Sequence, residues 1–94
     1  MKKYRLDKFT RGWFIGDFEP ALAKTKDFEV TVKYYKKSDK EAKHYHKIAA
    51  EFTAVTQGSC KINGKIFKSG DIILIEPGEA AEFEALEDCT NTII

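Results

Sequence analysis

The residues best suited to chemistry lie in one stretch, KHYHKIAAEF, residues 43–52. His44 and His46 are two apart, and Glu51 follows five residues after the second. In an extended strand, residues i and i+2 project from the same face. The spacing therefore predicts both imidazoles on one side and Tyr45 on the other. A short turn after Lys47 would return the next strand alongside and bring Glu51 to the pair. Two neutral imidazoles and a carboxylate form a facial triad that suits Fe(II), Mn(II), Ni(II) or Zn(II), with positions open for water or substrate. The alternative is a pair of hydrogen-bonding histidines in a metal-free pocket. An unpaired carboxylate in a barrel interior is costly to bury, and a cation or a protonated histidine removes that cost.

These residues need strands to position them, and strand signals dominate the chain. In FEVTVKYY, residues 28–35, Phe28, Val30, Val32 and Tyr34 alternate with Glu29, Thr31, Lys33 and Tyr35. That alternation predicts a strand with the first set facing inward. Tyr34 is then a candidate ligand-binding residue at a barrel mouth, with Lys33 beside it. KSDKEAK, residues 37–43, reads as a charged turn, and strands follow over KHYHK and from Ile48 to Gly58. Asn63-Gly64 sits between two apolar stretches and predicts a type I′ hairpin pairing Ser59–Ile62 with Lys65–Lys68. Ile72–Ile75 is a short apolar run of the kind a fully buried strand carries. Gly70-Asp71 and Pro77-Gly78 mark turns, and AEFEAL and TNTII supply the last strands. Only Ala21 to Lys26, after Pro20, offers a short helical turn. Many short strands between regular turn signals imply an all-β sandwich or small barrel.

Composition narrows the function classes. The chain has 94 residues, 43% apolar and 33% charged, which suits one globular domain. Sixteen basic residues against fifteen acidic ones give a net charge of +1, so no electrostatic case for nucleic acid or membrane arises. The start lacks an apolar leader region and no run approaches a membrane span, so a cytoplasmic location is expected. Cys60 and Cys89 show no metal or redox spacing and read as reduced core residues. Residues 1–27 form a separate arm or set of edge strands. There Trp13, Phe14, Ile15 and Phe18 crowd between Gly12, Gly16 and Pro20. That aromatic surface either closes one end of the chain's own barrel or docks on a second subunit, so a homodimer is expected.

From the first histidine onward, His44-x-His46, four residues, Glu51, six residues and Gly58 resemble the first motif of the cupin superfamily. Gly70-Asp71, the Ile72–Ile75 run and Pro77-Gly78 resemble the second, with the Asn63-Gly64 hairpin between them. The resemblance covers roughly residues 28–90 and implies a cupin-type barrel, a double-stranded β-helix or jelly-roll-like fold, over 28–94. It implies His44, His46 and Glu51 as metal ligands. Four positions depart from the pattern. Ser38 stands where the first motif has a glycine, Glu76 replaces a proline and Ala85 an asparagine. The fourth ligand position holds Ala81 instead of histidine. Glu79 on the turn is a possible substitute, whereas alternation turns Glu82 away.

Three function classes follow. The resemblance implies a metal-dependent enzyme with dioxygenase-, isomerase- or decarboxylase-like chemistry. The second class is a metal-free module that binds a sugar or small organic acid. The third is an assembly or regulatory scaffold, because one barrel fold hosts many activities.

Overall fold

The computed structural model describes residues 1–47 and 49–94. Its strands are β1 (Trp13–Ile15), β2 (Val30–Tyr35), β3 (Lys40–His44), β4 (Glu51–Gln57), β5 (Ser59–Ile62), β6 (Lys65–Lys68), β7 (Ile72–Ile75), β8 (Ala81–Ala85) and β9 (Cys89–Ile93). Two 3-10 turns, Leu6–Lys8 and Thr10–Gly12, precede them. The strands form a five-stranded sheet, ordered β1-β2-β9-β4-β7, and a four-stranded sheet, ordered β3-β8-β5-β6. All these strand pairs are antiparallel. The all-β expectation holds. Among the described residues the two sheets face one another without joining into one closed cylinder.

The core lies between the sheets. Val55 and Cys89 from the first sheet pack on Cys60, Ile62, Ala81, Phe83 and Ala85 from the second. Alternation along β8 and β9 produces this directly, because every second residue of each is buried. The β5–β6 hairpin forms in the predicted register, with Ile62 opposite Lys65. Asn63 and Gly64 both take positive φ, at 50° and 81°, as a type I′ turn requires.

Four expectations are corrected. The inward face of β2 carries Thr31 and Tyr35, whereas Tyr34 is 73% exposed on the outer face. Both faces of this strand are part-apolar, and the interior it meets is polar: Thr31, Thr53 and Asn91 are all buried. Polarity therefore misassigns the face even where the period of two is right. The Ile72–Ile75 strand, read as fully buried, is β7 at a sheet edge with Ile72 74% exposed. The charged turn shortens to the residues before Lys40, because Lys40–Lys43 pair with β8 as part of β3. The region from Ala21 to Lys26 makes no helical turn, and Ala23 instead bridges Ile15. The aromatic N-terminal segment contributes β1, which pairs with β2 of the same chain. Ile48, where the fourth predicted strand begins, lies outside the described residues.

Candidate metal centre

His44 ends β3, and its orientation depends on a local irregularity. Glu41 lies opposite Phe83 and His44 opposite Ala81, so three steps on β3 match two on β8. Glu41 and His44 are an odd number of residues apart and would face opposite ways in a regular strand. The bulge turns both into the same cleft. His46 lies just past the strand. Its carbonyl accepts the Gly78 N–H at 2.7 Å, which ties it to the Pro77-Gly78 turn. The two imidazoles stand edge to face with centroids 5.7 Å apart. Glu51 opens β4 and brings its carboxylate to them.

One ligand atom each from His44, His46 and Glu51 lie within 4.8 Å of one another. Both histidines are exposed and Glu51 is half-buried, so the group sits at a rim. The surrounding bonds suit metal ligation. The Nδ1 of His44 lies 3.0 Å from the carbonyl of Ala42. A carbonyl only accepts, so Nδ1 carries the proton and Nε2 keeps a free lone pair. Thr53 Oγ1 donates to Glu51 Oε2 at 3.2 Å and orients that carboxylate. Two imidazole nitrogens and a carboxylate oxygen are the donor set of divalent transition metals.

The expected fourth position is buried beside the group. Ala81 lies opposite His44 and lines the cleft. Glu82 faces outward, as alternation requires. Glu79 does not substitute: it closes its own turn, accepting the Glu76 N–H at 3.1 Å.

Sequence reasoning missed two residues of the cleft. Tyr35, not Tyr34, enters it, packed on Phe83 at 4.3 Å between ring centroids. Its hydroxyl donates to Glu41 Oε1 at 2.9 Å. Burial, then the Glu41 charge, holds the Tyr35 phenol well above its ordinary range, so it remains a donor. Lys33 Nζ lies 3.8 Å from Glu41 Oε2, closing a Tyr35–Glu41–Lys33 chain. No sequence signal marks the bulge that brings Glu41 in. Behind the polar wall the interior is filled by Ile62, Ile75, Phe83 and Ile93, leaving a cavity of about 30 Å³. That is room for a water or two. Anything larger would have to reach the group from its exposed rim.

No model of a known protein family matches the sequence. No curated protein matches it either. Solved structures do. The chain superposes on a cupin-2 domain protein of Shewanella frigidimarina with a TM-score of 0.65 at 20% identity, over 77% of this chain and 72% of that one. A Klebsiella pneumoniae protein with a double-stranded β-helix domain matches with a TM-score of 0.72 at 19% identity, over 98% of this chain and 81% of that one. The chain has the cupin fold. KdgF from Halomonas sp. shares it, with a TM-score of 0.67 at 19% identity. That match covers 73% of this chain and 66% of KdgF. Within the cupin fold of this chain, three predicted ligands converge and the fourth position is an alanine.

Proposed function

We propose that this cupin-fold protein binds a divalent transition metal ion through His44, His46 and Glu51 and presents it to a small molecule at the rim. The observation that carries the reading is the convergence of the three donor atoms within 4.8 Å, with the His44 tautomer set for Nε2 ligation. A metal bound there supplies Lewis acidity and a template for an oxygen ligand. Dioxygenase- or isomerase-like turnover is the activity class we favour. Ala81 offers no ligand atom at the fourth position, so more than one coordination position is available to water or ligand. The Tyr35–Glu41 pair takes the ligand-orienting role first given to Tyr34. Its phenol and carboxylate lie on the cleft wall that His44 and Glu51 also line. We assign the protein to the cytoplasm, where its two buried free thiols remain reduced.

Metal analysis of protein purified without added ions tests this. We expect close to one equivalent of a single transition metal, retained through desalting. His44→Ala, His46→Ala and Glu51→Gln each lower affinity by at least tenfold, while Glu79→Gln, outside the group, changes nothing. Wild type free of metal even after incubation with Fe(II), Mn(II), Ni(II) and Zn(II) would sink the reading. The metal-free binding module would then stand, with Tyr35 and Glu41 as its polar contacts.

A further inference from the structure

The outer face of the five-stranded sheet carries an apolar surface that nothing among the described residues covers. Leu74, Phe52 and Ile94 form one rung across β7, β4 and the end of β9. Ile72, Ala54 and Thr92 form the next. None of the six is charged, in a chain that is 33% charged. Ile72 is 74% exposed, Ile94 51%, Leu74 48% and Phe52 47%. Tyr34 extends the face along β2. Single exposed apolar residues are ordinary, but a contiguous patch of this kind marks an interaction site.

We infer that this face is the interface of a two-fold homodimer, sheet packed on sheet. Two observations select a second copy as the occupant. The first is charge. A two-fold axis sets each patch against its own duplicate, so any charge near the axis would meet its like. A face whose side chains carry none pays little of that cost, and those side chains offer no electrostatic address to an acidic or basic partner. The second is area. The five large side chains each leave on the order of 100 Å² in water. Two copies together hide on the order of 1,000 Å², the lower bound of a specific protein interface. The docking surface is thus the outer sheet face and not the aromatic segment around Trp13, whose strand is already paired with β2. The inward-pointing residues of β4, Glu51 among them, remain on the opposite side of the sheet. The dimer therefore leaves the metal group open and does not depend on the function proposed above.

Sedimentation equilibrium over low to high micromolar concentration, on the whole chain, tests the inference. The expected mass is about twice the 10.7 kDa of one chain. Ile72→Lys and Leu74→Lys, singly and together, should shift the mass toward one chain while circular dichroism stays that of wild type. Ile66→Lys, at an isolated exposed position on β6 of the other sheet, should leave the dimer intact. A wild type that sediments as one chain at the highest concentration overturns the inference, whether or not the variants fold. So does a dimer that survives both lysines, which would place the contact elsewhere.

Discussion

Ser38 sits in the turn from β2 to β3 with φ of +77°, a left-handed conformation that costs a serine about 1 kcal/mol. The turn is otherwise well tied. Its N–H donates to the Ala85 carbonyl at 2.8 Å, and Asp39 accepts the Lys36 N–H at 2.8 Å. This is the position where the resembled motif has a glycine, so the departure in residue type is not one in backbone shape. Ser38→Gly should raise stability by up to about 1 kcal/mol in urea unfolding, less the backbone entropy glycine adds to the unfolded chain. A loss of stability would show that the serine side chain contributes more than its strain costs. The three candidate ligands were legible for a comparable reason. His44, His46 and Glu51 are fixed by chain spacing, and the spacing survives even though His46 falls outside β3. Glu41 and Tyr35 were not legible. A bulge aims the first, and a polar interior hides the sign of the second.

At the level of elements, the junction between β4 and β5 is the tightest. Gly58 has φ of +78°, and a Cβ there would collide with the backbone carbonyl of Asp88 at the approach to β9. Neither strain can relax cheaply, because the obstacle is main chain. Gly58→Ala should cost on the order of 2–4 kcal/mol, read as a lowered urea midpoint at unchanged slope. A cost under about 0.5 kcal/mol would mean that the β4–β5 turn adjusts freely. Elements whose geometry is written in local turn chemistry were readable, the Asn63-Gly64 hairpin best of all. Position within a sheet was not. The apolar residues of β7 look the same in a central or an edge strand, and only the order β1-β2-β9-β4-β7 decides it. Likewise β1, three residues long, carries too short a pattern to reveal its pairing with β2.

At the scale of the whole molecule, the buried thiols set a pH dependence. Burial, foremost, pushes Cys60 up to about 12 from its ordinary 9.0, and Cys89 shifts the same way. Below pH 9 the thiol is protonated in folded and unfolded chains alike, and stability is undiminished. Between 9 and 12 only the unfolded chain releases its proton, so stability falls as pH rises. Tyr35, also raised, acts in the same sense from pH 10 upward. We expect a urea midpoint that is flat toward neutrality and declines above pH 9, more shallowly in Cys60→Ala. An identical alkaline slope in that variant would remove Cys60 as the cause.

The strand order has a further consequence, for biosynthesis. β9 lies between β2 and β4, and Thr31 of β2 and Thr53 of β4 both pair with Ile93. The two flanking strands leave the ribosome well before the one that joins them. Until it emerges, β2 and β4 lack their shared partner and the inward-facing Val55 stays unsheltered, although β4 can already pair with β7 and β5 with β6. The five-stranded sheet can therefore close only once β9 is available to join its two halves.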